Sequence, residues 1–256
     1  MKKRFVNIGC GKRYHPDWTN IDMISASPHV ISLNLLEPWP FDPDSFEFVY
    51  HSHVLEHFSR KDGGNFLQNC YRILKPGGII RVVVPDFEQI ARLYLEFLEK
   101  SLSGDDQASK CYEWIQLELF DQMVRNHSGG QMIEYIKQNP MPAEEFVLNR
   151  CGKEVAEYLP LFRQPDLPEK KKANYPTKKE GSYEIGKFRL AGEVHQWMYD
   201  RYSLHQALMK AGFEHIEEYD AHTSQLSQFA SYCLDTDPEG EVYHPESLFM
   251  EARKPN

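Results

Sequence analysis

The chain has 256 residues, a formal net charge of −9 and five cysteines. This length suits one large α/β domain with an insertion, since such a chain buries roughly three quarters of its unfolded surface. The negative charge argues against a surface built to bind nucleic-acid phosphates, and five cysteines without a Cys-x-x-Cys pair indicate reduced thiols. With no apolar run long enough to cross a bilayer and no signal-peptide core after residues 1–4, we expect a cytoplasmic protein.

Two short strands at the start of the chain predict a ligand site. The first, residues 5–8, ends in the turn Gly9-Cys10-Gly11, and the second, residues 18–22, ends in the carboxylate of Asp22. Ligands of parallel sheets lie at the carboxyl ends of the strands. Glycines there let the backbone approach the ligand, and an acid can accept both hydroxyls of a ribose. We therefore expect a nucleoside site.

A dinucleotide site is the first alternative for this segment. Its fingerprint needs a third glycine and about twenty residues before the acid. Here Arg13 stands in place of the third glycine, and Asp22 follows Gly11 by only eleven positions. A full crossover helix hardly fits into that space. A tight turn without a ligand is the second alternative.

Strands and helices alternate in the next segments. Strands are predicted over 29–36, 46–50 and 79–84, with a proline-rich loop at 37–44. The helix before the last of these strands stops at 75–78. Its apolar face is formed by Phe66, Leu67, Cys70, Ile73 and Leu74. This alternation predicts an open, doubly wound α/β sheet.

The second half of the chain predicts helices, a loop and two final strands. Apolar residues at helical spacing predict helices over 87–100, 111–124 and 142–159, with a polar break at 101–107. The lysine-rich stretch 165–181 is predicted as a solvated loop rather than a nucleic-acid contact. A helix over 203–211 precedes strands over 215–221 and 247–254, which we expect to pair antiparallel at the sheet's edge. We treat 1–256 as a single domain in which 101–190 forms a helical insertion, a lid over the active site.

Five motifs in this order resemble the class I S-adenosylmethionine-dependent methyltransferases. Within that superfamily the chain is similar to small bacterial methyltransferases of the type 11-like group, some linked to cell-surface sugar biosynthesis. The motifs are Asn-Ile-Gly-Cys-Gly at 7–11, Asp22, Phe-Glu-Phe-Val at 46–49, His-Val-Leu-Glu-His at 53–57 and Arg-Ile-Leu-Lys-Pro-Gly-Gly at 72–78. The resemblance implies a seven-stranded Rossmann-like methyltransferase sheet, mostly parallel with an antiparallel edge strand, plus a helical lid. It also implies S-adenosylmethionine as the cofactor.

The resemblance assigns cofactor contacts residue by residue. The glycine turn matches the backbone beneath the methionine and ribose, Asp22 matches the ribose-binding acid, and the pair at 34–35 lies beside the adenine. Asn7 and Asn34 stand where many members carry an acid; both keep an acceptor oxygen but lose the charge, so we expect weaker cofactor binding. The full set is Asn7, Gly9, Cys10, Gly11, Asp22, Asn34, Leu35, His51 and Ser52.

Several histidines lie near the predicted cofactor site. His51 and His53 are two apart at a strand end and would share one side if the extension persists, with His57 about one helical turn later. A general base is one interpretation, because an unperturbed imidazole titrates near pH 6.5. Metal ligation and simple helix packing are the others, and we assign no metal. Our candidate bases are His53 and His195, and the predicted substrate contacts are His57, Asp86 and Tyr199.

The predicted function is methyl transfer to a small-molecule acceptor. A hydroxyl of a sugar or of a cell-surface precursor is the first expectation, and it depends on the resemblance alone. RNA and protein are the alternative acceptors. A catalytically silent S-adenosylmethionine-binding protein is the alternative from outside the enzymes. No membrane partner is expected, and the sequence does not predict the oligomeric state.

Overall fold

A computed structural model of the chain describes residues 3–25, 27–163 and 181–256. They fall into two compact units, each described by itself. The sheet unit comprises Met1–Asp86, Trp197–Val242 and Ser247–Asn256, and the helical unit comprises Phe87–Gln196 and Tyr243–Glu246. Apart from Gly181, the predicted lysine-rich loop at 165–181 lies outside the described residues.

One mixed sheet organises the sheet unit. Its strands, in the part of the chain that the structure describes, are β1 (Phe5–Ile8), β2 (Thr19–Asp22), β3 (Val30–Ser32), β4 (Phe46–Ser52), β5 (Leu74–Pro85), β6 (Glu214–Tyr219) and β7 (Ser247–Arg253). They lie in the order β3-β2-β1-β4-β5-β7-β6. The first five pair in parallel, while β7 runs antiparallel to both β5 and β6. The predicted Rossmann-like sheet with antiparallel pairing towards one edge is confirmed.

The helices divide between the two units. They are α1 (Arg60–Ile73), α2 (Phe87–Leu102), α3 (Asp106–Gln116), α4 (Gln122–Val124), α5 (Gly130–Ile136), α6 (Glu144–Phe162), α7 (Ser182–Arg189) and α8 (Arg201–Ala211). Only α1 and α8 of these belong to the sheet unit. Both begin at a side-chain cap: Ser59 accepts a hydrogen bond from the backbone of Asp62, and Asp200 forms a capping box with Ser203.

The two faces of the sheet carry separate cores because side chains alternate along each strand. Val49 of β4 belongs to the core that includes buried residues of α1 and α8. Phe48 and Tyr50, its neighbours in the strand, belong to the other core, with Phe229 from the segment 220–242. This pattern places α1, and the loop before it, directly beside the carboxyl end of β4.

Residues 9–18, all of them described, join β1 to β2 without a helix. Side-chain amides supply hydrogen bonds that a helix would otherwise make within its own backbone. Asn7 Nδ2 donates to the carbonyl oxygen of Arg13 at 3.0 Å, and Asn20 Nδ2 donates to those of His15 and Trp18 at 2.9 and 3.0 Å. The prediction that no full crossover helix fits here is confirmed.

A buried ion pair network attaches the segment 220–242 to the sheet. Arg81 of β5 is fully buried; its guanidinium donates to Asp235 Oδ2 at 2.7 Å and to Glu251 Oε1 at 2.9 Å. It also donates to the carbonyl oxygens of Asp220 and Thr223. An arginine in a buried strand is therefore explained by these four acceptors, which satisfy its charge and its N–H groups.

The helical unit departs from prediction in several places. The helix expected over 111–124 begins earlier, at Asp106, and passes through a π-helical turn at Leu117–Asp121 before α4. The predicted break at 101–107 is correspondingly shorter, because Asp105 caps α3 by accepting from the backbone of Ala108. Both α5 and α7 were not predicted. The covering role of residues 101–190 stays a prediction.

None of the helices among the described residues is both long and apolar enough to cross a membrane.

Candidate functional site

The glycine turn after β1 has a backbone conformation that favours glycine. Gly9 and Gly11 both have positive φ, +67° and +52°. A Cβ on Gly9 would clash with the side chain of Val54, whereas no described atom lies within 4 Å of a Cβ built on Gly11. The backbone of Gly9 and Cys10 is held to β2 by N–H donation to the carbonyl oxygen of Ile21, at 2.8 and 3.0 Å. Gly9 is therefore required by the fold, while the space beside Gly11 is open.

Asp22 faces this turn. Its Oδ2 accepts from the backbone N–H of Gly11 at 2.8 Å, and its Oδ1 accepts from that of Ile24 at 3.2 Å. Burial, and secondarily the charge of Asp22, raise the pKa of the Cys10 thiol to about 12. Cys10 is therefore a protonated turn residue at neutral pH. The predicted ribose-binding acid and the predicted glycines thus form one local structure.

Two exposed apolar residues follow Asp22 and were missed by sequence analysis. Met23 is 53% exposed and Ile24 is 75% exposed. Exposed apolar side chains next to a half-buried carboxylate offer a surface for a flat heterocycle whose sugar the carboxylate could hold. The sequence does contain a signal for this surface, because two apolar residues directly follow Asp22, the acid that ends β2.

The pair predicted beside the adenine lies beyond the strand in which it was expected. The third strand was predicted over 29–36, which is wrong at its end, because β3 stops at Ser32. Asn34 starts a turn instead: its Oδ1 accepts from the backbone N–H of Leu36 at 3.1 Å. Asn34 is exposed, and Leu35 is half-buried against the core of the sheet. The amide oxygen of Asn34 is thus already used within the turn.

Asn7 is buried, with 1% of its surface exposed. Its hydrogen bond to Arg13 fixes the end of the glycine turn, and only a donor can make it. An aspartate at this position would face the carbonyl oxygen with a second acceptor. This hydrogen bond explains why residue 7 is an asparagine here, although the family that the chain resembles often has an acid at this position.

His51 is fully buried under α1. Its ring lies edge-on to the ring of Phe66 at a centroid distance of 4.9 Å, and neither ring nitrogen hydrogen-bonds to a described residue. Burial lowers the pKa of His51 to about 3, so the ring is neutral near pH 7. Its predicted contact with the cofactor, like that of the half-buried Ser52, stays a prediction, and its surroundings favour a packing role.

His53 leaves the strand in a strained conformation. Its φ is +54°, which is uncommon for a residue with a Cβ and ends the extension of β4 at Ser52. The backbone is fixed there, because the N–H of His53 donates to the carbonyl oxygen of Val83 at 2.9 Å. The assumption that His51 and His53 continue one extended strand is therefore wrong.

The His53 ring has a polar side chain near each of its nitrogens. Nε2 lies 2.8 Å from Ser247 Oγ, and Nδ1 lies 3.4 Å from Glu56 Oε1. Ser247 is the first residue of β7 and pairs with Pro85, the last residue of β5. These groups therefore lie at the carboxyl ends of the parallel strands, where ligands of such sheets bind.

Glu56 is a functional candidate that sequence analysis missed, although it lies within the motif at 53–57. It is fully buried, and neither carboxylate oxygen accepts a hydrogen bond from a described residue. Burial raises the pKa of Glu56 to about 8. Its backbone oxygen accepts from the N–H of Trp197 at 3.2 Å, which ties the short 3-10 turn Leu55–His57 to the segment before α8.

Tyr199 and Asp86 lie together, and Tyr199 lines a groove. The two residues form an isolated parallel bridge through their backbones. Tyr199 is 5% exposed, and burial, followed by the charge of Glu56, raises its pKa to about 12. The groove, of about 720 Å³, runs between α1 and α8 and is also lined by Arg60, Lys61 and Lys210. The predicted substrate contact His57 is half-buried at the end of the 3-10 turn.

His195, the second candidate base, belongs to the helical unit. It is 4% exposed, and its backbone N–H donates to the carbonyl oxygen of Gln122 at 3.0 Å. The two candidate bases thus lie in different units.

The residues after β1 and β2 fit a nucleoside cofactor. The open space beside Gly11 admits a ligand against the backbone, Asp22 presents a carboxylate to it, and Met23 with Ile24 adds an apolar surface. Both the open space in this part of the chain and the polar and apolar groups around it therefore suit a nucleoside.

Residues 7–82 match a protein family described as a methyltransferase domain. No curated protein matches the chain significantly. The matched range contains the glycine turn, Asp22 and the motif at 53–57. The match confirms the resemblance to the class I methyltransferases over this range, and the cofactor that the resemblance implies is S-adenosylmethionine.

Solved structures of methyltransferases are similar to the chain at low identity. One match is a chain in the complex between the Trm112 methyltransferase activator and a methyltransferase of Haloferax volcanii. It is 12% identical to this chain, with a TM-score of 0.43, and the match covers 100% of this chain and 83% of that one. An S-adenosylmethionine-dependent methyltransferase of Thermotoga maritima is 14% identical (TM-score 0.39; coverage 98% and 81%). One from Mesorhizobium loti is 15% identical (TM-score 0.39; coverage 98% and 90%). Scores this low carry no argument, so the fold assignment depends on the strand order itself.

Proposed function

We propose that this S-adenosylmethionine-dependent methyltransferase methylates a hydroxyl group of a small anionic molecule, with His53 as the general base. The observation that carries the proposal is the His53 ring, held between Ser247 and Glu56 at the carboxyl ends of β4 and β5. A base is needed only when the nucleophile arrives protonated, as a hydroxyl does. An imidazole held in this way therefore favours a hydroxyl over a neutral amine.

The cofactor would be held by the glycine turn and the end of β2. Gly9 and Gly11 let the backbone approach it, Asp22 would accept from the ribose hydroxyls, and Met23 with Ile24 would contact the adenine. When bound, the cofactor supplies an electrophilic methyl group on a positively charged sulfur. The chain's task is then to orient the acceptor and take its proton; good orientation can contribute roughly 7–11 kcal/mol to lowering a barrier.

His53 is suited to proton transfer by its exposure and by its fixed position. Its side chain is 22% exposed, whereas His51 is fully buried and its pKa is lowered to about 3. The strained φ of His53 persists because the backbone bond to Val83 and the contact with Ser247 hold the residue. In the proposed step, Nε2 takes the proton of the acceptor hydroxyl as the oxygen attacks, and the ring becomes an imidazolium.

The groove between α1 and α8 supports an anionic acceptor. Lys61 and Lys210 form no ion pair with an acid among the described residues. The Arg60 guanidinium lies over the ring of Trp197 at 4.7 Å. Cations without acidic partners, in a chain of net charge −9, favour a ligand that carries a phosphate or carboxylate. Tyr199, the predicted substrate contact, lines the same groove.

The test is methyl transfer from methyl-labelled cofactor to a panel of sugar phosphates, sugar acids and matched amines. We expect labelled product from hydroxylated anions, a loss of about 10²- to 10⁴-fold in rate for His53→Gln, and an unchanged rate for His222→Gln, an exposed histidine control. A wild-type rate in His53→Gln would remove His53 as the base. Methylation of amines alone would overturn the hydroxyl acceptor, and cofactor binding without any S-adenosylhomocysteine would favour the silent binding protein.

A further inference from the structure

Among the described residues, the groove between α1 and α8 is lined by three cations and by no acidic side chain. Arg60 and Lys61 lie at the start of α1, and Lys210 lies near the end of α8. Lys61 and Lys210 form no ion pair with an acid in the described part of the chain. Because the whole chain carries a net charge of −9, a groove with charges of positive sign only favours an anionic ligand.

Tyr199 contributes a buried hydroxyl to the same groove. The residue is 5% exposed, and no described group forms a hydrogen bond with its hydroxyl. The oxygen lies beside α1, 3.1 Å from a Cβ built on Gly63. Burial raises the pKa of Tyr199 to about 12, so the phenol keeps its proton and can both donate and accept. Buried hydroxyl groups are nearly always hydrogen-bonded, so a ligand in the groove would supply the partner.

Gly64 leaves open space along the groove. It lies inside α1, where a glycine is destabilising relative to an alanine. A Cβ on the preceding Gly63 would crowd Tyr199 and Leu55, whereas no described atom lies within 4 Å of a Cβ built on Gly64. Packing within the fold therefore explains the first glycine but not the second. The close approach of a ligand to the helix backbone would explain Gly64.

The groove is long enough for several linked units. Its lining includes Ser203 in the first turn of α8 and Lys210 in the last turn, and the eleven residues of this helix span about 16 Å. At one end Tyr199 forms its backbone bridge with Asp86, the residue directly after β5. A single sugar is too short to contact both ends. The volume of about 720 Å³ suits a ligand of several rings.

Uncharged polar side chains line the groove between its cations. Asn65 and Gln68 on α1 and Gln206 on α8 present amides, which carry both donors and acceptors. Gln68 is fixed by donating to the carbonyl oxygen of Ala211 at 3.1 Å, so its own oxygen is directed as an acceptor. Groups that donate and accept side by side suit a ligand rich in hydroxyl groups.

Single-stranded nucleic acid fits this lining less well. Such strands bind through aromatic rings that stack on the bases and through many cations along the backbone. The Arg60 guanidinium lies 4.7 Å from the centre of the Trp197 ring and occupies one of its faces. Three cations are also few for a polyanion. The lining therefore favours a hydroxyl-rich chain with spaced acid groups.

We propose that the groove between α1 and α8 binds an acidic oligosaccharide, whose end unit carries the acceptor hydroxyl. Lys61 and Lys210 would hold acid groups at the two ends of the groove, and the Tyr199 hydroxyl would bind a sugar hydroxyl. This inference deepens the proposed function and rests on it for its catalytic meaning. Binding in the groove is measured without the cofactor, so it is tested independently of methyl transfer.

The test is calorimetric titration of two acidic series into the full chain. The probes are oligogalacturonates of one to four units and sulfated chondroitin oligosaccharides of two and four units, with uncharged malto-oligosaccharides of one to four units for comparison. We expect the four-unit acids to bind at least about tenfold more tightly than the shortest member of each series, because only the longer chains contact both lysines. The uncharged series should bind more weakly at every length.

Four variants locate the binding. Lys210→Gln should weaken binding of the four-unit acids by about three- to tenfold and leave the single unit unchanged. Tyr199→Phe should weaken binding at both lengths. Gly64→Ala should weaken binding of the long chain without lowering the urea midpoint, because alanine favours the helix, so this loss is separate from any loss of folding. Lys110→Gln, an exposed lysine on α3, is the control and should bind as the wild type.

Several results would overturn the inference. These are no binding of either acidic series, an affinity that does not rise with length, and an unchanged affinity for the four-unit acids in Lys210→Gln and Gly64→Ala. Tighter binding of hexauridylate or of hexaglutamate than of both acidic series would overturn it in favour of RNA or an acidic peptide. Methyl transfer is assayed separately: length-dependent binding without any transfer would remove the proposed function and keep the binding site, whereas transfer to a hydroxylated anion without such binding would do the reverse.

Discussion

The burial of Glu56 predicts a specific dependence of stability on pH. In the sheet unit its pKa is about 8, against an ordinary value of 4.5. A pKa difference of one corresponds to about 1.4 kcal/mol, so the whole difference sets an upper limit of about 5 kcal/mol. Because the folded-state pKa is raised, the neutral carboxyl is compatible with folding at low pH. The stability associated with the neutral carboxyl is fully present below its unfolded-state pKa of 4.5. It is lost as the pH rises through the folded-state pKa of about 8.

Glu56→Gln removes this titration while keeping a polar group of the same shape. We expect the stability of the wild type relative to the variant to fall by up to about 1.4 kcal/mol per pH unit between about pH 5 and pH 8. Relaxation and water entry reduce the total, so a difference of at least about 2 kcal/mol over this range is the working expectation.

Urea unfolding followed by circular dichroism at several pH values measures the difference. Glu239→Gln is the matched control, because Glu239 is an exposed acid in the same unit and should behave as wild type at each pH. A difference between wild type and Glu56→Gln that is constant from about pH 5 to pH 8 would refute the reasoning, because it would mean that Glu56 titrates alike in the folded and unfolded chain.

Three further changes test the site and its support. Asn7→Asp removes the donor to the Arg13 carbonyl and should lower both stability, by about 1–3 kcal/mol in urea unfolding, and cofactor affinity in calorimetry; wild-type values in both would contradict the role given to Asn7. Arg81→Met leaves two buried carboxylates uncompensated and should cost about 3–5 kcal/mol in unfolding free energy, and a loss well under 1 kcal/mol would show that the network contributes little. Gly11→Ala meets no described atom but requires a positive φ, so it should remain folded with a loss of about 1–2 kcal/mol and bind cofactor poorly, whereas unimpaired binding would place the cofactor elsewhere.

Sequence patterns predicted the parts of the fold that depend on local periodicity. The buried runs of β1, β4 and β5 and the apolar face of α1 follow directly from their spacing. The end of β3 was not predictable in this way, because the Asn34 side chain competes for the backbone of Leu36. Helix α5 was missed because it has only seven residues, and because both its N-cap Gly129 and its first residue Gly130 have positive φ.

The candidate site was predictable in its residues more than in its contacts. The glycine turn and Asp22 carry their chemistry in the sequence, and the structure brings them together. Glu56 was missed because spacing within a motif does not reveal which side chains become buried. The positive φ of His53 has no sequence signal either, and it turns the ring away from the path of β4. The role of Asn7 was not predictable from the sequence, because it depends on the path of the helix-free connection between β1 and β2.

Calorimetric titration of S-adenosylmethionine tests the central claim, a nucleoside site between the glycine turn and Asp22. The samples are the wild type, Asp22→Ala and Asp17→Ala, a control whose side chain is 80% exposed on the same crossover. Loss of a charge-assisted hydrogen bond to the ribose should weaken binding to Asp22→Ala by about 1.5–3 kcal/mol, roughly ten- to a hundredfold, and leave Asp17→Ala as wild type. No heat with the wild type at millimolar cofactor, or wild-type affinity in Asp22→Ala, would contradict the claim.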